Sequence, residues 1–376
     1  MEFIDLKSQY IALEKEINAG IQKVLEHGMF IMGKEVTELE ERLKDYTGRK
    51  FCAACANGTD AMSMVLMAWG IRQGDAVFVP SFTFMSTAEV VSLCGATPVF
   101  VDIDINTFNM DVDSLETAIK KVISKGELIP KVVIPVDLFG LPADYERIIP
   151  LARKYNLLVL EDGAQGFGGT LEEKTACCFG EASATSFFPA KPLGCYGDGG
   201  AIFTDDEKLY SILTSIRAHG KGSDRYSNVR VGCNSRLDTL QAAILLPKLK
   251  AFREYELANR QRWAGMYTSL LKDYVKVQAI PNGYTSSFAQ YTIILESEEQ
   301  RDMLQNKLKE NRIPSMIYYP KPLHLQLAFN NLGYIEGSLP HSEYASKRVL
   351  SLPMHPYLDE NLIKSITKNI IDIIRS

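Results

Sequence analysis

The stretch that decides the fold is Leu157–Gln165, which reads LLVLEDGAQ and places four aliphatic residues before two carboxylates and a glycine. Such a run is typical of a strand in a parallel sheet that is buried on both faces. Segments with helical periodicity, such as Asp60–Trp69 and Asp144–Tyr155, alternate with further apolar runs. This alternation predicts an α/β fold with a large, mainly parallel sheet flanked by helices. The other apolar runs are Lys50–Ala56, Ala76–Val79, Pro98–Val101, Val132–Val136, Ala184–Phe188 and Ala201–Thr204.

The length of the chain, 376 residues, predicts a second, smaller domain, because a single compact core rarely grows that large. A helical pattern from Ser235 to about Leu271 contains Pro247, which should kink the helix or split it in two. We expect a large domain over residues 1–249 and a small C-terminal α+β domain over residues 250–376. The elements predicted for the small domain are strands at Gln290–Glu296 and Ile317–Tyr319 and helices at Glu298–Glu310 and Asp359–Ile374.

Composition and charge exclude several classes of protein. A net charge of -5 and a pI of about 5.7 do not fit a nucleic-acid-binding protein, which carries a basic stripe. The N-terminal residues form no apolar signal segment, and no stretch is long and apolar enough to span a membrane. We therefore expect a cytoplasmic protein that binds neither nucleic acid nor membrane.

Cys52 and Cys55 have the spacing of a redox or metal-binding pair, but they fall inside a strand-like run. The sequence offers no second pair of this kind and no two histidines at ligand spacing. We therefore favour buried thiols that act as small apolar side chains, and expect no metal site.

The first candidate site lies in the block Asn57–Ala61 (NGTDA), between an apolar run and a helical pattern. Gly58 allows the backbone to approach a ligand closely, and the start of a helix offers free N–H groups to a phosphate. An ordinary helix N-cap without a ligand is the alternative interpretation.

Asp162 ends its apolar run and is therefore expected at the carboxyl edge of the sheet, where such folds bind their ligands. A carboxylate in this place suits the protonated nitrogen of a pyridine ring, because the ion pair keeps the ring an electron sink. Asp162 could instead cap the next turn of the chain.

Lys191 closes a further run, Ser183–Pro192 (SATSFFPAKP). An unpaired ammonium is costly to bury, but the cost disappears if the amine forms a Schiff base with an aldehyde. Ser186 and Thr185 could supply hydroxyl groups to a phosphate nearby. The alternative is a solvated lysine at the end of a strand. The glycine-rich segment Gly194–Gly200 leads into a strand rather than a helix, so it does not match a dinucleotide-binding loop.

Taken together and in this order, the motifs resemble those of the DegT family of sugar-nucleotide aminotransferases, which have the fold type I aminotransferase architecture. The resemblance extends over nearly the whole chain, from Phe3–Leu6 to Leu352–Pro356. Its most specific blocks are Asn57–Ala61, Glu161–Gln165, Ser186–Gly200 and Arg230–Leu249.

The resemblance implies pyridoxal 5′-phosphate (PLP) as the cofactor. Lys191 is then the catalytic residue, which binds the cofactor aldehyde and later moves a proton between the cofactor and the sugar. Dehydratases of the family carry histidine at this position, so Lys191 indicates transamination. L-Glutamate gives up its amine and leaves as 2-oxoglutarate, and a nucleotide-linked keto sugar receives the amine. The implied cofactor contacts are Asp162 on the pyridine nitrogen, Gln165 against the ring oxygen, Phe84 stacked on the ring, and Gly58, Thr59 and Ser186 on the phosphate.

The resemblance also implies a homodimer with shared active sites, because Asn234 matches a residue that reaches the phosphate held by a partner subunit. Arg236 is a candidate contact for an acidic group of the donor or the acceptor. Tyr318 and Tyr319 are candidate contacts for the sugar acceptor.

Within the family, the chain is most similar to enzymes that aminate C3 of UDP-2-acetamido-2-deoxy-3-oxo-glucuronate on the way to the diacetamido uronic acids of O-antigen. One difference concerns the sugar, since the chain has Tyr318, Tyr319 and Pro320 where that subgroup has His-Tyr-Pro. Two alternatives therefore stay open. The acceptor could be a dTDP-, UDP- or GDP-linked 3-keto or 4-keto 6-deoxy sugar, or the protein could be a non-catalytic regulator that binds PLP or a sugar nucleotide.

Overall fold

The computed structural model describes residues 1–224 and 226–375. Among these residues no helix is both long and apolar enough to cross a membrane. Thirteen strands are present in this part of the chain: β1 (Phe51–Cys55), β2 (Asp75–Pro80), β3 (Thr97–Val101), β4 (Ile129–Val133), β5 (Leu158–Asp162), β6 (Thr170–Leu171), β7 (Lys174–Thr175), β8 (Ala182–Ser186), β9 (Gly200–Thr204), β10 (Lys276–Val277), β11 (Tyr284–Thr285), β12 (Tyr291–Ile294) and β13 (Val349–Leu352).

Seven of these strands form the central sheet, in the order β1-β9-β8-β5-β4-β2-β3. Strand β9 runs antiparallel to both of its neighbours, whereas the pairs β8–β5, β5–β4, β4–β2 and β2–β3 are parallel. Each apolar run of the sequence overlaps one strand of this sheet, so the predicted α/β fold with a mainly parallel sheet is confirmed. The carboxyl ends of the parallel strands meet at one edge, and the candidate site residues follow them.

Helices cover both faces of the sheet, as the alternation of apolar side chains along β2 shows. Val77 and Val79 belong to a core with α3, α4 and α7, whereas Ala76 and Phe78 pack on the opposite face with α5 and α6. The α-helices are α1 (Leu6–His27), α2 (Lys34–Thr47), α3 (Gly58–Ala68), α4 (Ser86–Leu93), α5 (Val112–Lys125), α6 (Tyr145–Lys154), α7 (Glu207–Ile216), α8 (Thr239–Ala251), α9 (Leu257–Leu271), α10 (Glu298–Glu310), α11 (Pro340–Arg348) and α12 (Glu360–Arg375).

The helical segment from Thr239 to Leu271 is not split at Pro247, which was one of the two outcomes that the sequence predicts. Helix α8 continues through the proline, and the irregular part is a π-helical turn at Phe252–Glu256 that joins α8 to α9. Pro247 has no N–H to donate to the Ala243 carbonyl one turn earlier. That carbonyl faces Gly20 of α1, where an added methyl group would lie 3.1 Å from the oxygen. Helix α1 therefore packs closely against α8 at this point.

The C-terminal part has its own three-stranded antiparallel sheet, β10-β12-β13, and its own apolar core. Helix α10 matches its prediction, and α12 buries Ile363, Ile366 and Ile370 as expected. The strand predicted at Ile317–Tyr319 is wrong: only the neighbouring Met316 pairs, through a single bridge to Ser351. The aromatic side chains that suggested a strand instead contact other rings, as described below. The division at residues 249 and 250 falls near the end of α8 and stays a prediction.

Candidate active site

Strands β2, β5 and β8 end at the same edge of the sheet, because all three run in the same direction. Asp162 is the last residue of β5 and Ser186 the last residue of β8, while Phe84 follows β2 by a few residues. Gly58 begins α3 directly after β1. The structure therefore places these four predicted site residues along one edge of the sheet.

Asp162 is buried, with 4% of its surface exposed, and its carboxylate has two donors. The hydroxyl of Thr87 donates to one oxygen at 2.8 Å, and the Ala164 N–H donates to the other at 3.2 Å. Burial raises the pKa of Asp162, whereas the Thr87 hydrogen bond and the charge of Lys191 act to lower it. Thr87 was not predicted from the sequence, where its one local signal is a hydroxyl in the first turn of α4.

Glu161, next to Asp162, forms a buried acid pair with Asp137. The two Glu161 oxygens accept hydrogen bonds from the Cys177 N–H at 2.5 Å and from the Phe179 N–H and the Ser183 hydroxyl at 2.7 Å each. Burial, together with the charge of Glu161, raises the pKa of Asp137 well above its usual value. Burial raises the pKa of Glu161 as well, but hydrogen bonds from Asp137, Ser183 and two backbone N–H groups act to lower it. The donors around Glu161 therefore favour Asp137 as the protonated member of the pair.

Lys191 is half-buried and lies beyond the end of β8. Burial lowers the pKa of Lys191 because it disfavours the charged ammonium, and the nearby Asp162 carboxylate offsets part of this effect. The Lys191 backbone N–H donates to the Phe188 carbonyl at 2.8 Å, which closes the turn that carries the side chain. An amine with a lowered pKa is more often neutral, which is the state that attacks an aldehyde.

The Asn57–Ala61 block combines the two predicted features, a helix N-cap and a glycine at which the backbone can be approached closely. The Asn57 side chain accepts a hydrogen bond from the Asp60 N–H at 2.7 Å, as an N-cap does. The N–H groups of Gly58 and Thr59, at the first two positions of α3, have no acceptor within the helix. A methyl group added at Gly58 would lie 2.8 Å from Cβ of Ser186, so only glycine allows this approach.

Gln165 is buried and links the sheet to the segment that carries the two tyrosines. Its side-chain oxygen accepts from the Phe139 N–H at 2.8 Å, and its amide nitrogen donates to the Tyr319 hydroxyl at 3.1 Å. Phe84 is 54% exposed, and its ring centroid lies 6.4 Å from that of Tyr319. Tyr318 lies beside Tyr319, with 5.8 Å between the ring centroids. The exposed Phe84 and the two tyrosines thus form one aromatic group above Gln165.

Asn234 and Arg236 lie on the surface, around a cavity that Ile31, Gly197 and Asp238 also line. The Asn234 side-chain oxygen accepts hydrogen bonds from Nε of Arg236 at 3.0 Å and from Nη2 at 2.6 Å. The neighbouring Ser235 hydroxyl accepts from the Ala56 N–H at 3.2 Å, which anchors this segment beside the start of the Asn57 block.

The two thiols of the Cys52–Cys55 spacing point to opposite faces of β1. Cys52 packs in the core with α2 and α8, and Cys55 packs in the core with α3 and α7. Residues three apart in a strand face opposite sides, so the two sulfurs cannot join in a disulfide or bind one metal ion. Burial raises the pKa of both thiols, as expected for small apolar side chains in a core.

The residues at this edge fit a pyridine ring that carries an aldehyde and a phosphate. The close approach at Gly58 leaves backbone N–H groups for a phosphate, Asp162 is a buried carboxylate, and Lys191 is an amine near it. When bound, PLP supplies an electron-withdrawing ring that takes up the electron pair left when a C–H bond breaks. The fold and the site together define a PLP-dependent aminotransferase.

Comparison with known proteins assigns the family. The model of the DegT/DnrJ/EryC1/StrS aminotransferase family matches residues 12–371, and the chain belongs to this family. It is 48% identical over 367 residues to the UDP-2-acetamido-2-deoxy-3-oxo-D-glucuronate aminotransferase of Pseudomonas aeruginosa, covering 97% of this chain and 98% of that protein.

Two solved structures are similar over most of their length. A DegT DnrJ EryC1 StrS aminotransferase from Brucella abortus is 52% identical, with a TM-score of 0.95 over 100% of this chain and 98% of the other. NtdA from Bacillus subtilis, solved with bound cofactor PMP, is 29% identical, with a TM-score of 0.88 over 96% of this chain and 82% of the other.

Proposed function

We propose that the protein transfers the amino group of L-glutamate to the C3 ketone of a UDP-linked 2-acetamido-3-keto uronic acid. The products are 2-oxoglutarate and the 3-amino sugar nucleotide, which would serve the synthesis of a cell-surface polysaccharide such as O-antigen. The observation that carries this proposal is the 48% identity, over 97% of the chain, to an aminotransferase named for a UDP-linked 3-oxo-glucuronate.

The proposed roles follow from the chemistry of each group. Lys191 holds the cofactor through its amine and afterwards moves the proton, a role that its lowered pKa supports. Asp162 pairs with the ring nitrogen. Its donors, Thr87 and Ala164, hold the carboxylate in place. Gly58, Thr59 and Ser186 would bind the phosphate, Phe84 would stack on the ring, and Gln165 would contact the ring oxygen.

We further propose a homodimer in which Asn234 completes the phosphate site of the partner subunit. Two observations support it. Asn234 is exposed, and the nearby segment Met29–Met32 presents four apolar side chains that are each at least 37% exposed. An apolar run of this kind on a surface indicates a protein contact. The segment is fixed to the Asn234 region, since the Thr239 N–H donates to the Phe30 carbonyl at 2.9 Å.

The acceptor is the least constrained part of the proposal. Arg236 would bind an acidic group, and Tyr318 and Tyr319 would contact the sugar. A second candidate acceptor, a dTDP-, UDP- or GDP-linked 3-keto or 4-keto 6-deoxy sugar, is favoured by Tyr318 itself. A neutral phenol replaces the histidine expected for the uronate enzymes, and a phenol gives less attraction to a uronate carboxylate.

The experiment is a pair of half-reactions on the purified yellow protein. L-Glutamate is expected to bleach the colour, and the UDP-linked 3-keto uronate is expected to restore it and to yield the amino sugar, identified by mass spectrometry. The control is Lys191→Ala, which should neither bleach nor turn over. Recovery of colour with a 6-deoxy keto sugar but not with the uronate would replace the first acceptor by the second. A protein that binds PLP and is inert to L-glutamate would instead be a regulator.

A further inference from the structure

His324 is a buried histidine with a partner on each ring nitrogen. Only 1% of its surface is exposed, and it lies in a short 3-10 helix, Leu323–Leu325. Its Nδ1 is 2.6 Å from the Ser81 hydroxyl, and its Nε2 is 3.0 Å from Oε1 of Glu343. Ser81 is fully buried, and Glu343 is 9% exposed. The three side chains are thus covered by protein.

The donors around this histidine fix its tautomer. Burial acts to raise the pKa of Glu343, but hydrogen bonds from the Gly337 and Leu339 N–H groups and from His324 outweigh it, and the net pKa is lowered. Glu343 is therefore ionised, and the Nε2–H of His324 donates to it. Nδ1 then accepts from the Ser81 hydroxyl, whose oxygen also accepts from the His324 backbone N–H at 3.2 Å. Every polar group of the trio is used, which makes the arrangement rigid.

This trio joins two segments that meet again at the candidate active site. Ser81 directly follows β2, and its carbonyl accepts from the Leu323 N–H at 2.8 Å. One residue further, Phe82 contacts Tyr319, with 6.0 Å between ring centroids at an angle of 78°. Tyr319 and His324 are separated by four residues, two of which are prolines that restrict the backbone. The positions of Tyr318 and Tyr319 are therefore fixed by the contact of Tyr319 with Phe82 and by the anchored His324 that follows.

We propose that His324 is a positioning residue for the sugar acceptor. It fixes the segment Tyr318–His324 against the end of β2, so that Tyr318 and Tyr319 face the acceptor correctly, and it takes no part in the chemistry. This inference rests on the proposed function. It requires that loss of His324 slows the half-reaction with the sugar more than the half-reaction with L-glutamate, because this segment reaches the cofactor residues indirectly, through the contacts of Tyr319 with Gln165 and Phe84.

The test compares the two half-reactions in the PLP-loaded protein. For His324→Leu we expect a loss of about tenfold or more in the rate constant for recovery of colour with the keto sugar. The rate of bleaching by L-glutamate should fall less, by about fivefold at most, because Tyr319 keeps its hydroxyl and the bond to Gln165 is weakened rather than removed. His324→Gln keeps a donor towards Glu343 and should recover part of the sugar half-reaction. His341→Gln is the matched control, since His341 lies nearby but bonds the Ile103 carbonyl rather than the Tyr318–His324 segment.

Equal losses in both half-reactions, or no loss with the sugar in a folded variant, would overturn the inference. If His324→Leu does not fold, Ser81→Ala is tested in its place. It removes a single hydroxyl from the trio, and the same two outcomes would overturn the inference. Wild-type protein that bleaches with L-glutamate but recovers its colour with neither keto sugar contradicts the proposed function itself, and the inference with it.

Discussion

The side-chain amide of Gln165 donates a hydrogen bond of 3.1 Å to the hydroxyl of Tyr319, a residue 154 positions further along the chain. The bond connects a side chain expected at the cofactor with one expected at the sugar. Gln165 is buried and Tyr319 is half-buried, and burial raises the pKa of Tyr319, so the hydroxyl stays protonated. Changes on the sugar side of the site should therefore reach the cofactor through Gln165.

Tyr319→Phe removes the acceptor of the Gln165 amide and leaves a buried donor unpaired. Because such a loss costs about 1–3 kcal/mol, we expect both half-reactions to slow by roughly fivefold or more. The absorbance maximum of the bound cofactor should shift as well. Tyr318→Phe is the matched control and should change only the KM for the sugar. Spectra and single-turnover rates measure both variants. Identical effects of the two substitutions would show that the Gln165 contact has no role.

Gly58→Ala is expected to weaken cofactor binding, because the added methyl group would lie 2.8 Å from Cβ of Ser186. Such crowding costs about 1–3 kcal/mol, so the Kd for PLP should rise roughly tenfold. Gly265→Ala, in α9, is the control. Nothing lies within 4 Å of a methyl group there, and alanine should raise the free energy of unfolding by about 0.5–1 kcal/mol. Absorbance titration and urea unfolding distinguish the two, and unchanged PLP affinity in Gly58→Ala would remove the close-approach argument.

Thr87→Val deletes the hydroxyl that donates to Asp162 at 2.8 Å. This hydrogen bond acts to lower the pKa of Asp162, so its loss raises that pKa further. Asp162 would then become protonated at a higher pH, so the acidic limb of the pH–rate profile should shift to higher pH. Thr87→Ser keeps the hydroxyl and should retain the wild-type profile. A profile that is unchanged in Thr87→Val, measured from pH 5 to pH 9, contradicts this link.

Asp137→Asn and Glu161→Gln should differ in their effect on stability. Asp137→Asn imitates the protonated acid and keeps an oxygen for the Ala143 N–H and the Tyr145 hydroxyl, so the free energy of unfolding should change by less than about 1 kcal/mol. Glu161→Gln points an amide N–H at backbone donors and should cost about 2–4 kcal/mol. Urea unfolding at pH 7 measures both, and the reverse order would assign the proton to Glu161.

The sheet could be predicted from the sequence because its signals are local. Each strand is a short apolar run, and the polar residues that end β5 and β8 mark the edge where the site lies. The order in the chain of Asp162, Ser186 and Lys191, together with the other motifs, supports the family resemblance that predicts the cofactor site. The strand predicted at Ile317–Tyr319 is wrong because aromatic residues are common in strands. Here they pack against other aromatic rings and do not pair in a sheet.

Contacts between distant segments could not be predicted in this way. The bond of Thr87 to Asp162 joins residues 75 positions apart, and the bond of Ser81 to His324 joins residues 243 positions apart. Neither pair has a periodic or spaced pattern, since each side chain is ordinary in its own segment. Only the folded chain brings the two halves of such a pair together.

The trio of Ser81, His324 and Glu343 also has a consequence for protein engineering. The chain around Tyr318 and Tyr319 contributes no strand to the large sheet. It is held there by polar bonds, among them the Tyr334 hydroxyl that accepts from the Phe100 N–H at 3.0 Å, and by Leu323, Phe329 and Leu339, which pack in the core with α3 and α4. Residues 316–339 can thus be treated as a replaceable cassette. A graft from a relative that retains Tyr319, His324, Tyr334 and the apolar residues at 323, 329 and 339 would transplant the choice of sugar and leave the cofactor site intact.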